Sequence, residues 1–149
     1  SSDNKHTRLF SSYDDFGPCR GSELVFDCDP TGTAVAGLRL IVQGISVESK
    51  PLKFADGKYH HLAVVYENGR VFFYRDGEPA GEQWIGGDAP VIMERNLQVG
   101  EDTQHADVQQ FRGNMDDILV LGRAMSAAEI RTLSQQGAEE FFKKETGRP

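Results

Sequence analysis

"DGKYHHLAVVYENGRVFFYRDGEPAG", residues 56–81, decides how the chain is read. Its adjacent histidines, aromatic residues and carboxylates suit a metal site, a catalytic groove or a structural hairpin. The turn chemistry favours the hairpin. Asn68-Gly69 supplies the two φ > 0 residues of a type I′ turn between "HLAVVY" and "VFFYR", and Asp76-Gly77 offers a second reversal. Side chains on a strand alternate between faces, so His61, Ala63 and Val65 fall on one side and His60, Leu62, Val64 and Tyr66 on the other. Both faces are largely apolar. Such a strand sits mid-sheet with each face covered, or lines a concave groove.

The same alternation weakens the chemical readings. His60 and His61 cannot both ligate one ion from a regular strand, so at most one belongs to any site. One is expected to pack in the interior and the other to face a polar edge. Glycoside hydrolysis needs two carboxylates facing each other across a groove, roughly 5 to 9 Å apart. On a strand this requires i, i+2 or i, i+4 spacing. Asp76 and Glu78 have it but lie on a turn, and Asp116 and Asp117 are adjacent and face opposite ways. A nucleophile elbow and a phosphate-cradling glycine loop are both missing from the sequence.

Outward from the hairpin, residues 7–121 read as short β-rich runs separated by turns: "TRLFSSY", "SELVFDC", "VAGLRLIVQG", "ISVES", "EQWI", "VIME", "NLQVG" and "FRGNMDDILVLG". Strands this short predict an all-β fold, an antiparallel β-sandwich of jelly-roll type. The period changes only near the end. Ser126 and Glu129 have the spacing of a capping box, which predicts one short C-terminal helix from about 127 to 136 with Ile130 and Leu133 facing inward and Gly137 ending it. The tail, 138–149, is expected to add a turn through Glu139–Lys143 and Glu140–Lys144 pairs and then fray.

The 149 residues suffice for one domain with its own core. The net charge of −7, with scattered Lys and Arg, argues against nucleic acid as a partner, since phosphate binding needs a concentrated positive surface. No apolar run approaches the roughly 20 residues of a membrane span, so direct membrane insertion is not expected, and "SSDNKHTRLF" lacks the apolar core of a secretory signal. Cys19 and Cys28 can meet as a disulfide if the turn between them folds back, or remain buried thiols. Acidic loops at Asp14-Asp15, Asp27 with Asp29, Asp102 with Asp107, and Asp116-Asp117 offer hard oxygen ligands of the kind calcium takes, without EF-hand spacing.

Residues 56–81 resemble the W-H-H-V-A-x-x-Y-x-x-G-x-x-x-x-Y-V-D-G core of laminin G-like jelly rolls, within the concanavalin A-like lectin and glucanase fold. "NLQVGED" resembles that family's L-x-I-G strand, and "FRGNMDDILVLGRAMSAAEIRTL" its F-x-G-x-I-D-D-V-x-I-Y-x-R-A-L-S-x-x-E-I closing strand and helix. Tyr59, Arg75, Leu121 and Gly122 depart from the pattern on the scale of packing. The family also opens with further strands ahead of the one "RLFSSY" resembles. Residues 1–149 are therefore expected to form a single domain that is a fragment of a longer protein, with exposed sheet edges that invite self-association.

The resemblance implies binding rather than turnover: a noncatalytic module recognising a glycan or a protein ligand, in an extracellular, periplasmic or cell-surface protein. A glycan-cleaving enzyme of the same fold and a purely structural or assembly domain are the alternatives. Trp84, Tyr74 and Tyr66 are the candidate aromatic platform, with cross-strand packing as the competing role of the two tyrosines. Some domains of this kind hold calcium at the rim of the sandwich; no cofactor is certain here, and for one such calcium ion Asp116 and Asp102 are the candidate ligands, with Asp117 in a structural role beside Arg123.

Overall fold

The protein was analysed as a computed structural model, which describes residues 7–12, 24–28, 37–42, 45–53, 56–86, 98–100 and 111–147. The strands are β1 (Thr7–Ser11), β2 (Leu24–Cys28), β3 (Leu38–Val42), β4 (Ile45–Glu48), β5 (Leu62–Glu67), β6 (Arg70–Arg75), β7 (Glu78–Trp84) and β8 (Gln98–Val99). They form two antiparallel sheets, ordered β4-β3-β2-β1-β8 and β5-β6-β7. Two helices, α1 (Ala127–Gln136) and α2 (Ala138–Thr146), follow. The expected antiparallel β-sandwich is what forms.

Period-2 patterning builds the layer between the sheets. Leu38, Leu40 and Val42 alternate inward along β3, and with Phe26, Cys28 and Val47 they meet Val71, Phe73 and Ala80 of the smaller sheet. Leu62, Val64 and Tyr66 of β5 pack against the same cluster. The opposite face of the smaller sheet is covered by the helices: Val65 and Tyr74 are buried with Met125, Ile130, Leu133 and Phe141, and Ala63 and Phe72 pack beside them. Both faces of β5 are therefore covered, as its composition requires. Its position differs from the mid-sheet expectation, because β5 is an edge strand among the described residues.

Both tight turns form as read. Asn68 and Gly69 have φ of 47° and 76°, and Asp76 and Gly77 of 52° and 79°, so all four sit in the left-handed region of a type I′ turn. The second turn is tight enough that β7 begins at Glu78 rather than at "EQWI". Around residue 80 the β6–β7 register slips: Tyr74 pairs with Pro79, but Phe73 pairs with Gly81.

Four other expectations are corrected. Beyond residue 137 the chain forms not a single added turn but a second helix of nine residues, because Phe141 finds a buried place against the sheet. Lys143 pairs with Glu139 at 2.7 Å as read, whereas Lys144 reaches Gln136 at 3.0 Å rather than Glu140. The segment 111–122, expected as the closing strand, joins no ladder among the described residues, since apolar composition makes a strand only where a neighbour supplies hydrogen bonds. Finally, β5 starts at Leu62, which leaves His60 and His61 on the preceding loop.

Candidate recognition surface

The slip in register decides where Trp84 points. Counting from the Asp76-Gly77 turn without it, Trp84 would fall opposite Gly69; with the bulge it falls opposite Arg70. One extra residue turns every later side chain to the other face. Trp84 thus lies on the helix-covered side of the smaller sheet, past the end of the helical cover, and is 65 % exposed. The Arg70 guanidinium carbon lies 5.9 Å from the ring centroid, a cation–π geometry of about 0.5–1 kcal/mol at an exposed site. Glu82 and Glu67 occupy the same face, across from Phe72 and Arg70. An exposed indole steadied by a cation and flanked by carboxylates can stack on an apolar ligand face while polar groups bond its edge.

The two tyrosines expected beside Trp84 do not join it. Tyr74 shares its face but lies beneath the helices at 6 % exposure. Burial raises the pKa of its phenol, and the charges of Glu82 and Glu67 push in the same direction. Tyr66 is on the opposite face, packed against the sandwich core. Both take the packing role, which leaves Trp84, with Arg70 against it, as the exposed aromatic of the three. Sequence reading missed Arg70, and the hairpin turns held the signal: both fix the register to one residue, and only the bulge at Ala80, next to Gly81, had to be added.

The histidines separate as alternation suggested, though on a loop. His60 stands between two carboxylates, with Nδ1 2.8 Å from Asp76 Oδ2 and Nε2 3.0 Å from Asp56 Oδ1. The hydrogen bond to Asp76 raises its pKa, burial opposes this, and the bond to Asp56 adds to the rise. Asp56 is held below the usual carboxylate range, chiefly by His60 and also by the Lys58 amide. His61 is pushed the other way by burial, against the opposing charge of Asp76. Its backbone N–H donates to Asp76 Oδ1 at 3.0 Å, so Asp76 gathers both residues and the loop onto the β6–β7 turn.

The described residues do not suit the implied calcium. Asp116 Oδ1 accepts the Asp117 N–H at 3.0 Å, and no group of three or more His, Cys, Asp or Glu side chains among the described residues comes together to hold an ion. Calcium takes six to eight oxygens. Asp102 lies outside the described residues, as does Cys19; Cys28 is fully buried, with Sγ 3.4 Å from Thr7 Oγ1. Arg123, placed beside Asp117 from the sequence, reaches Glu129 at 3.0 Å.

A laminin G-type family profile, described as "Concanavalin A-like lectin/glucanases superfamily", matches residues 2–131. A search of curated proteins gave no match. Among solved structures, the chain is similar to the 2.1 Å crystal structure of an S-layer domain-containing protein (residues 221–444) from Clostridium thermocellum ATCC 27405. The two share 18 % identity with a TM-score of 0.41, and the match covers 87 % of this chain and 63 % of that one. The motifs around residues 56–81, the sandwich they build and the profile match agree: the chain belongs to the concanavalin A-like lectin/glucanase superfamily, as a laminin G-like domain.

Proposed function

We propose that this domain is a noncatalytic recognition module of a larger exported or cell-surface protein, with Trp84 at the centre of a surface that binds a carbohydrate. The observation that carries this reading is a large aromatic ring left 65 % exposed on a paired strand, with Arg70 against it. A buried Trp at that position would have contributed to the core; an exposed one leaves apolar area in water unless a ligand covers it. Family membership supports recognition and surface location. A protein ligand at the same patch is the other form of this reading.

The test is a glycan array and affinity electrophoresis with the wild type and Trp84→Ala. The expected result is binding to a subset of glycans that falls at least tenfold in Trp84→Ala, with unchanged circular dichroism. Tyr66→Phe should bind as the wild type. Retention of full affinity by Trp84→Ala overturns the site, and turnover of any glycan by the wild type replaces recognition with hydrolysis. An array with no binders, alongside a pull-down that Trp84→Ala abolishes, moves the ligand from glycan to protein.

A further inference from the structure

One imidazole ties the loop that precedes β5 to the far end of β6. The His60 side chain is 11 % exposed and stands between Asp56, on its own loop, and Asp76, on the β6–β7 turn. Its Nδ1 lies 2.8 Å from Asp76 Oδ2 and its Nε2 3.0 Å from Asp56 Oδ1. Only the protonated ring donates from both nitrogens. The charged groups around this trio are named by the elements that carry them. Arg75, at the end of β6, has Nε 3.3 Å from Asp76 Oδ2; the charge of Lys58 acts on Asp56; and His61, beside Asp76, is pushed toward its neutral form by burial. On α1, Arg131 is taken up by Glu78 at 3.1 Å.

The two carboxylates are not held alike. Asp76 is fixed from several sides: its backbone N–H donates to His61 C=O at 2.7 Å, its Oδ1 accepts the His61 N–H at 3.0 Å, and Arg75 stands against Oδ2. The turn it sits on is seated so closely against α1 that a Cβ on Gly77 would lie 3.0 Å from Arg131 Cα. Asp56 has a half-exposed side chain, and among the described residues its hydrogen-bond partners are His60 and the Lys58 N–H, 3.0 Å from Oδ1. Lys58 is two residues away and moves with it. The bond from His60 is thus what joins the Asp56 carboxylate to the β6–β7 turn.

We propose that His60 is a pH-operated latch, which holds residues 56–58 against the β6–β7 turn while its ring is protonated and releases them when the ring becomes neutral. The neutral ring keeps its one proton on Nδ1, because Asp76 cannot retreat and its bond is the shorter. Nε2 then turns a lone pair on the Asp56 carboxylate, two acceptors face each other, and the side with less to hold it moves. The bond to Asp76 raises the His60 pKa, burial opposes this and the bond to Asp56 adds to it, so release comes as pH rises through a value above the ordinary 6.5. His60 in turn keeps Asp56 ionised to below 3.8, so the latch stays closed under mildly acid conditions. The released segment carries Lys58 and leads into Tyr59, which is 72 % exposed. Trp84 lies at the opposite end of β6, beside Arg70, so the latch and the Trp84 surface stand or fall separately.

The test is an NMR titration of the whole chain between about pH 5.5 and 8.5, reading the His60 ring nitrogens and the backbone order parameters. At the acid end both ring nitrogens should be protonated, with order parameters near about 0.85 at Gly57 and Lys58. At the basic end the proton should remain on Nδ1 alone, and the values at Gly57 and Lys58 should fall below about 0.6 while His61 and Asp76 stay as they were. Asp56→Asn should keep the segment ordered at both ends, since its amide accepts from the charged ring and donates to the neutral one. A neutral ring protonated on Nε2 overturns the latch, because Asp56 is then the arm that holds. Order parameters at Gly57 and Lys58 that do not move in the wild type also overturn it. So does the same loss of order in Asp56→Asn, or in His60→Gln, which has no imidazole to titrate. The tautomer and the order of the wild type decide the matter even where a variant fails to fold.

Discussion

His60 is the residue whose surroundings make the sharpest prediction. An imidazolium can donate to Asp56 and Asp76 together, whereas a neutral ring donates once and turns a lone pair toward the other carboxylate. Because its folded pKa is raised above the ordinary 6.5, its contribution is fully present below about 6.5 and is lost as pH rises through the folded value. Asp56, with a lowered folded pKa, contributes above about 3.8 and loses that contribution as pH falls through its folded value. His61 works in the opposite sense to His60: burial disfavours its charged form, so its effect is a loss of stability as pH falls below about 6.5. Urea midpoints of the wild type and His60→Gln between pH 5.5 and 8.5 check this. The advantage of the wild type should be largest at the acid end and shrink toward pH 8.5. A constant difference across the range would mean His60 acts by shape alone. The sequence showed the two histidines splitting between environments. It did not show the two carboxylates, which lie 4 and 16 positions from His60 and meet it only through the turn.

At the scale of elements, the two helices show why one was legible and the other was not. The capping box that announces α1 is local: Ser126 Oγ accepts the Glu129 N–H at 3.2 Å, and Glu129 Oε2 accepts the Ser126 N–H at 2.7 Å. Ser126→Ala should lower stability by about 1 kcal/mol in urea unfolding. α2 has Gly137 at its N-cap and so no side-chain cap, and its anchor is tertiary. Phe141 is 6 % exposed in the cluster with Val65 and Tyr74, set edge-on to Phe142 with centroids 5.1 Å apart. Phe141→Ala should cost about 3–5 kcal/mol, with faster hydrogen exchange concentrated in α2 and along β5. If instead the cost is a few tenths of a kcal/mol, α2 is an appendage rather than part of the cover. The segment 111–122 is the converse case. Its pattern suits a strand, yet a ladder is a property of two segments, and the second is not in the described residues beside it.

For the molecule as a whole, the two edges of the sandwich differ. At one edge the sheets are clasped: Lys50 N–H donates to Ala80 C=O at 2.7 Å and Glu48 N–H to Gln83 Oε1 at 2.8 Å. Ser49 Oγ accepts the Leu38 N–H at 3.0 Å and holds the end of β4 in place. Gly81 makes this approach possible, with φ of 132° and room for no side chain: a Cβ there would lie 2.9 Å from Lys50 N. Gly81→Ala should destabilise by about 1–3 kcal/mol through backbone strain and loss of the clasp. The Lys50 amide should exchange faster, and Trp84, three residues along the same strand, should shift its fluorescence. An unchanged urea midpoint would show that the clasp yields without cost. At the other edge β5 is the last strand of its sheet among the described residues.

The sequence alone determined what short-range rules control: β-strands from period-2 patterning, two type I′ turns from Asn-Gly and Asp-Gly, the α1 cap, and the family through motifs that record those elements in order. Only the tertiary structure decided which edge β5 occupies, that α2 has a surface to bury against, and that the bulge at residue 80 swings Trp84 onto Arg70. It also placed Tyr74 beneath the helices and Tyr66 against the sandwich core. The physical reason is one of range. Turn and cap energies depend on neighbours within about four residues, whereas exposure, strand pairing and the reach of a side chain depend on segments that are far apart in the chain and are brought together by packing.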